Sequence, residues 1–274
     1  MEITGRTQVL AVVGNPVRHS LSPRIHNFLS EKLGLDYVYT AFEPDGMDEV
    51  LSAVKALGIR GINVTAPFKY KALELVDVVS DNARLAGSVN TVVNSGGILT
   101  GYSTDGEGLY MSMELAGFEI RNKRILVLGA GGAAKPVCVM LKNRGASLVA
   151  VKNRTVSRAE KLCSDLNGSM GTDIFKVYET AECFDIIINT TSVGMGSNET
   201  PLEDSSLLEG ICGAVDLIYY PEKTTFLKDA EKHGARVLNG LGMLVFQGIL
   251  AYEHFTGVKV PSKLYGEVLK KVNE

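Results

Sequence analysis

Four cysteines are all that 274 residues carry. They stand at Cys138, Cys163, Cys183 and Cys212, with no C-x-x-C spacing and no histidine close to Cys163 or Cys183, so no metal site is readable from them. Buried, inert thiols are the expectation. No apolar run approaches the roughly 18 residues of a membrane span, and Met1 to Arg6 shows no charged-then-apolar leader pattern. Free thiols without a leader lead us to expect a cytoplasmic protein with no membrane partner. An excess of positive charge is also missing: 28 Lys and Arg against 31 Asp and Glu leave a net charge of −3. A nucleic-acid binder would carry a basic patch, so that class is set aside. No low-complexity segment and no internal repeat interrupts the chain.

What is present is material for a core. Hydrophobic residues make up 45% and charged residues 22%, as in ordinary globular proteins. The length suits one large domain or two modest ones. Val9–Val13 reads as a short strand ending at Gly14-Asn15-Pro16. Ser22-Pro23 then starts a helix, with serine as cap and proline in the first turn, and Ile25, Phe28, Leu29 and Leu33 follow at helical spacing. Strands at 37–42 and 61–65, helices at 47–57 and 71–79, and a hairpin at 89–93 and 97–101 complete a β-α-β-α half, which implies an α/β layer with parallel strands. A helix at 106–116 joins it to a second α/β series. That series has strands at 125–128, 147–152, 186–189, 214–217 and 236–238, and helices through Asn143 and over 157–166. Helical patterns at 243–255 and 262–272 close the chain.

The most informative turn lies between a strand and a helix. Ile125-Leu126-Val127-Leu128 runs directly into Gly129-Ala130-Gly131-Gly132-Ala133-Ala134, a G-x-G-x-x-A pattern. The first glycine permits the tight turn, the second lets a pyrophosphate approach the backbone, and a small residue at the last position lets helix and strand pack. Phosphate is then received by the helix N-terminus, whose free N–H groups and dipole favour anions. A site for NAD would end the next strand on Asp or Glu to accept from the ribose 2′-hydroxyl. That carboxylate is absent: the strand ends Lys152-Asn153-Arg154-Thr155, with Arg158 a turn later. Two guanidinium groups suit a 2′-phosphate, so NADP(H) is the expected dinucleotide.

In the first half, polar residues interrupt apolar strand ends: Ser20 and Ser22, Asn63 and Thr65 followed by Pro67-Phe68-Lys69, Asn90, and Asp105. Each has an ordinary reading. Ser22 is a helix cap, Lys69 a solvated surface lysine, and Asp105 an N-cap for the helix after it. Spacing alone does not bring them together.

The chain nonetheless resembles the shikimate dehydrogenase family from end to end. The resemblance is carried by Asn15-Pro16, His19-Ser20-Leu21-Ser22-Pro23, His26-Asn27, Asn63-Val64-Thr65-Ala66-Pro67-Phe68-Lys69, Gly87-Ser88-Val89-Asn90-Thr91 and Thr104-Asp105-Gly106. It continues through Gly129–Ala133, Asn153-Arg154-Thr155, Asn189-Thr190-Thr191-Ser192, Asp216-Leu217-Ile218-Tyr219, Gly240-Leu241-Gly242-Met243-Leu244 and Gln247. It implies reversible NADPH-dependent reduction of 3-dehydroshikimate to shikimate in aromatic amino-acid biosynthesis, with Lys69 and Asp105 as the catalytic pair. It implies that Ser20, Ser22, Thr65, Lys69, Asn90, Asp105, Tyr219 and Gln247 hold the substrate. Gly129, Ala130, Gly131, Gly132, Ala133, Asn153, Arg154, Thr155 and Arg158 would hold the cofactor, with Asp81, Leu217 and Gly240 near it. No metal is called for.

The implied fold class is α/β in two domains, an α/β substrate domain and a Rossmann-like NADP-binding domain with a cleft between them. The substrate domain is expected at 1–104, completed by C-terminal helices 240–274, and the NADP-binding domain at 105–239. Departures from the family pattern are small: Thr190 stands where alanine is common, and Lys152 precedes the Asn-Arg-Thr motif. A quinate/shikimate dehydrogenase with broader substrate or cofactor use is the nearest alternative; the presence of Ser20 and Ser22, with Arg154 and Arg158, argues against it. A non-catalytic NADP-binding sensor is the second, and having both Lys69 and Asp105 argues against that. Expected partners are the small-molecule substrate and at most a second copy of the chain as a homodimer.

Overall fold

The structure is a computed structural model describing residues 2–179 and 183–274; Met1 and residues 180–182 lie outside it. The chain forms two compact units, Met1–Gly108 with Leu244–Glu274, and Leu109–Met243.

The first unit contains β1 (Gln8–Val13), α1 (Ser22–Leu33), β2 (Tyr37–Phe42), α2 (Met47–Ala56), β3 (Gly61–Val64), α3 (Lys69–Leu75), β4 (Val78–Val79), α4 (Asp81–Ala86), β5 (Thr91–Ser95), β6 (Ile98–Tyr102) and the start of α5 (Asp105–Leu115). Its sheet has the order β2-β1-β3-β5-β6-β4. The parallel layer expected here is a mixed sheet instead: β1 is parallel to β2 and β3, but β5 is antiparallel to both β3 and β6. The β5–β6 pair is antiparallel because of the two-residue turn Gly96-Gly97, with φ of 63° and 91°. Positive φ at both central residues gives a hairpin, which must be antiparallel. The helix expected over 71–79 is also cut short. Asp77 accepts from the Leu99 N–H at 2.7 Å, and Val78–Val79 pair in parallel with Thr100–Gly101 as an edge strand.

Ser22 is not the cap of α1. It is the first helical residue, after Leu21 at the cap position, and its own N–H donates to Ser20 Oγ at 3.2 Å. Asp105 likewise opens α5 as a helical residue. Val13, Met47, Leu51, Ile62, Phe68, Val92 and Leu99 form the apolar cluster beneath these polar residues.

The second unit carries β7 (Arg124–Leu128), α6 (Ala134–Asn143), β8 (Leu148–Lys152), α7 (Val156–Met170), β9 (Phe175–Val177), β10 (Ile186–Asn189), β11 (Gly213–Asp216), α8 (Thr225–Lys232) and β12 (Arg236–Leu238). Its strands are all parallel in the order β12-β11-β10-β7-β8-β9. That is the doubly wound dinucleotide-binding order, which reverses direction between β7 and β10. β10 is buried throughout and β7 from Ile125 onward, as continuous apolar runs such as Ile186-Ile187-Ile188 require in a sheet covered on both faces. The helix α8 starts where the Thr224 hydroxyl accepts from the Leu227 N–H, and it buries Phe226, Leu227 and Ala230.

The chain then returns to the first unit through α9 (Leu241–Thr256) and ends in α10 (Tyr265–Asn273). Among the described residues no helix is long and apolar enough to cross a membrane. The expectation of buried thiols is corrected in part. Cys138 and Cys163 are buried, and burial pushes the Cys163 thiol up to about 11, but Cys183 and Cys212 are exposed. Both exposed thiols lie just before buried strands, β10 and β11, where the chain is still at the rim of the sheet.

Within the first unit His26 of α1 is fully buried, stacked on Tyr39 at 4.0 Å and flanked by Tyr252 and Phe255. Neither ring nitrogen has a partner among the described residues, and burial lowers its pKa to about 3. The unfolded chain therefore takes up a proton near pH 6.5 that the folded chain refuses until near pH 3. Stability falls as pH drops through that window. Replacement His26→Phe keeps the aromatic stack and removes the titration. At about pH 4.5 the wild type should lose roughly 2–3 kcal/mol more, relative to about pH 7.5, than the variant does in urea denaturation. Equal losses would show that His26 titrates in the folded protein.

Candidate active site

In the first unit one ion pair lies at the end of a buried polar cluster. Lys69, the first residue of α3, donates from Nζ to Asp105 Oδ2 at 2.7 Å. Their side chains are 24% and 8% exposed, so the ammonium reaches solvent while the carboxylate is covered. The other carboxylate oxygen, Oδ1, accepts from Asn90 Nδ2 at 2.8 Å. The carboxamide of Asn90 also donates to Thr104 Oγ1 at 2.9 Å and to Gln247 Oε1 at 3.4 Å, while its oxygen accepts from the Thr104 N–H at 2.9 Å. Gln247 on α9 is tied down in turn, donating from Nε2 to the Leu244 carbonyl at 2.8 Å. A buried carboxylate is tolerated only when its oxygens are paired, and here each has a donor.

Lys69, Asn90, Asp105 and Gln247 are thus brought into direct contact. Ser20 and Ser22 form a second group through the bond from the Ser22 N–H to Ser20 Oγ. That oxygen accepts one bond from within, and its own proton is free to be donated to an anionic ligand. Thr65 closes β3: its N–H donates to the Val13 carbonyl, and its carbonyl accepts from Phe68, one residue before Lys69. A Cβ at Gly14 would collide with the Thr65 methyl, which explains glycine at that point of close approach. Asp81 opens α4 in this unit and is exposed, whereas the glycine turn belongs to the other unit.

In the second unit the glycine turn sits at the carboxyl end of β7, beside β10, where the strand order reverses. Gly129 has φ of 104°, and a Cβ there would come within 2.8 Å of Thr190 and Thr191. A Cβ at Gly131, by contrast, would meet nothing within 4 Å, so the backbone faces open space there. The Asn153 carboxamide locks the turn to the end of β8, with Oδ1 accepting from the Ala130 N–H at 3.1 Å and Nδ2 donating to the Thr155 carbonyl at 2.8 Å. Arg154, Thr155 and Arg158 are exposed next to it, and Gly132 and Ala133 lead into α6. A glycine turn open on the ligand side, a helix start behind it and arginines at the next strand end fit a 2′-phosphorylated dinucleotide.

Sequence reading did not single out Asn189 and Asp216 as site residues, although both lie in motifs it quoted. Asp216 is fully buried at the end of β11; Oδ1 accepts from Asn189 Nδ2 and the Ile218 N–H, each at 3.0 Å, and Oδ2 accepts from Thr224 Oγ1 at 2.7 Å. Burial raises its pKa above the ordinary carboxylate range against those bonds. Asn189 Oδ1 accepts from the N–H and the hydroxyl of Thr191. Together they shape the two loops that follow β10 and β11, the second of which carries Leu217 and Tyr219. Tyr219 belongs to this unit and not to the Lys69 cluster, and burial pushes its phenol up. A polar residue ending an apolar strand was the available signal for both.

Comparison with known proteins agrees along the chain. Residues 12–92 match the model of the shikimate dehydrogenase substrate binding domain, 112–202 that of shikimate / quinate 5-dehydrogenase, and 240–264 that of the shikimate 5′-dehydrogenase C-terminal domain. The shikimate dehydrogenase (NADP(+)) of Alkaliphilus metalliredigens is 42% identical over 272 residues, 95% of each chain. Among solved structures, shikimate 5-dehydrogenase from Listeria monocytogenes in complex with shikimate and NAD is 37% identical, with a TM-score of 0.90 over 98% of each chain. The enzyme from Thermus thermophilus in complex with NADP(H) and shikimate is 34% identical, with a TM-score of 0.88 over 97% of this chain and 99% of that one.

The placement of Gly240 yields a test of the second loop. Its N–H donates to the Ile218 carbonyl at 3.0 Å, and a Cβ there would run into the backbone carbonyl of Leu217. Since backbone cannot swing aside as a side chain can, Gly240→Ala should lower unfolding stability by about 1–3 kcal/mol. Urea denaturation measures it; an unchanged midpoint would mean that the loop after β11 shifts freely.

Proposed function

The chain belongs to the shikimate dehydrogenase family, and on that footing we propose that it catalyses the reversible NADPH-dependent reduction of 3-dehydroshikimate to shikimate, a step of aromatic amino-acid biosynthesis. The observation that carries the reading is the Lys69–Asp105 pair at 2.7 Å, with Asn90 on the second carboxylate oxygen. In this reading the first unit holds the substrate and the second holds NADP(H).

The cofactor supplies a hydride for the carbonyl carbon. As the carbonyl oxygen gains negative charge, it needs a proton and a cation beside it. Lys69 meets both needs, as general acid in reduction and general base in oxidation. Asp105 holds the ammonium through Oδ2, and Asn90 prevents the carboxylate from rotating away. Ser20 and Ser22 receive the substrate carboxylate, the Ser20 hydroxyl having its proton to give. Thr65, Asn90 and Gln247 present amide and hydroxyl groups to the ring hydroxyls, and Tyr219 is the contribution from the second unit. On the cofactor side, Gly129 to Ala133 meet the pyrophosphate, Asn153, Arg154, Thr155 and Arg158 the phosphorylated ribose, and Leu217 and Gly240 the nicotinamide end; Asp81 is placed near the cofactor by family resemblance alone. The reading carries with it a cytoplasmic setting and a homodimer as the assembly to examine.

Steady-state oxidation of shikimate with NADP tests the whole reading, and a chain inactive in that assay does not perform this reaction. Lys69→Ala should lower kcat by about 10²–10⁴-fold while KM for shikimate changes little. A loss of only a few-fold would take Lys69 out of the proton-transfer role. Arg154→Ala should weaken NADP about tenfold or more, as loss of a charge-assisted phosphate contact does, and leave NAD within about twofold. Equal losses for the two cofactors would mean that Arg154 does not meet the 2′-phosphate.

A further inference from the structure

The buried polar cluster around Asn90 does not end at the residues assigned above. It continues through β3 into β2, and every bond in it points the same way. The Tyr39 hydroxyl donates to Asn63 Oδ1 at 2.7 Å. Asn63 Nδ2 donates to Thr91 Oγ1 at 3.1 Å and to the Asn90 carbonyl at 3.2 Å. The Thr91 hydroxyl donates to Asn90 Oδ1 at 3.0 Å, and Asn90 Nδ2 donates to Asp105 Oδ1.

The direction is dictated by backbone groups that have only one role. The Asn90 carbonyl can only accept, so Asn63 must turn its amide nitrogen toward it and its oxygen toward Tyr39. Tyr39 must then donate. The Thr104 N–H can only donate, so Asn90 must turn its oxygen toward it; Thr91, sharing that oxygen, must donate as well. Tyr39, Asn63 and Thr91 are 3%, 5% and 0% exposed, so water is not at hand to replace a lost partner.

Tyr39 itself is unusually well held. Asn27 clamps its backbone on both sides, donating to its carbonyl at 2.9 Å and accepting from its N–H at 2.8 Å. His26 stacks on its ring at 4.0 Å. Burial raises the phenol well above its ordinary range, which keeps the proton on the oxygen.

We propose that Tyr39 is a positioning residue of the reaction: through Asn63 and Thr91 it forms a one-way hydrogen-bond relay that sets the orientation of Asn90 and thereby of the Asp105 carboxylate. The relay rests on the function proposed above. It touches neither substrate nor cofactor at Tyr39, Asn63 or Thr91. It acts on the geometry of the carboxylate that holds Lys69, so its loss is felt in turnover more than in binding.

Tyr39→Phe removes the hydroxyl and keeps the ring against His26. It leaves Asn63 Oδ1 buried without a donor, a defect worth about a factor of ten. With shikimate and NADP, kcat should fall about tenfold, while KM for shikimate stays within about threefold because Ser22 retains its hydroxyl. Thr91→Val, which is nearly isosteric, should reproduce the loss in kcat, and Thr91→Ser, which keeps the hydroxyl, should stay within about twofold of the wild type. If Tyr39→Phe does not fold, the Thr91 pair decides alone. A wild-type kcat in Tyr39→Phe or Thr91→Val, with only the unfolding midpoint lowered, would overturn the relay and leave the function standing. Absence of shikimate turnover by the unsubstituted chain would remove both.

Discussion

A carboxylate taken out of water has to be met on each oxygen, and much of the first unit follows from doing so for Asp105. One oxygen receives the Lys69 ammonium and the other the Asn90 carboxamide. To meet them the chain brings together the start of α3, the end of β3 with its neighbour β5, the start of α5 and a turn of α9. The end of β3 and the start of α3 are close in sequence, but β5, α5 and above all α9 come from farther along the chain. The mixed sheet serves this arrangement: the hairpin that reverses β6 delivers Thr104 and Asp105 back alongside Asn90, which a parallel crossover would have sent to the opposite end of the strands. The polar cluster therefore sits where the ends of central strands meet helix starts, with the carboxylate covered and the lysine partly open to solvent.

The second unit solves a different problem with a second buried carboxylate. Among the described residues no cation is paired with Asp216; its oxygens are met by an amide, a backbone N–H and a hydroxyl. Neutral donors suffice to hold a loop in shape but do not keep a carboxylate charged as a cation would, and burial raises its pKa accordingly. The two carboxylates thus have different surroundings, one holding the Lys69 ammonium, the other fixing the backbone on which Leu217 and Tyr219 stand.

The alternation of strands and helices, the glycine turn and the strand end that follows it were legible because each is written in contiguous residues whose spacing matches a single local geometry. The polar chain from Tyr39 to Asp105 was not, since it crosses four strands and depends on register, which no local pattern encodes. Ser22 misled because a serine before proline has the composition of a cap whether it stands at the cap or one residue inside. The edge strand β4 was hidden by an apolar run that continues the helical period; the helix ends at Leu75, and the bond from Leu99 to Asp77 and the pairing of Val78–Val79 with β6 hold the chain extended after it. The exposed thiols of Cys183 and Cys212 were missed for a related reason: adjacency to a buried strand does not imply burial when the residue lies on the rim. The roles of Lys69 and Asp105 came from family resemblance, and the structure adds the distance between them.

Asn153 has a consequence for redesign. Its two amide atoms are spent on different tasks, one on the backbone of the glycine turn and the other on the turn of chain that presents Thr155. The part that would meet pyrophosphate and the part that would meet the ribose are therefore one rigid piece. Grafting a whole strand end from an NAD enzyme would remove the brace together with the phosphate-reading arginines, and the turn would loosen for either dinucleotide. If the proposed phosphate contacts of Arg154 and Arg158 hold, those exposed positions are the ones to alter, with Asn153 left as the fixed frame around them.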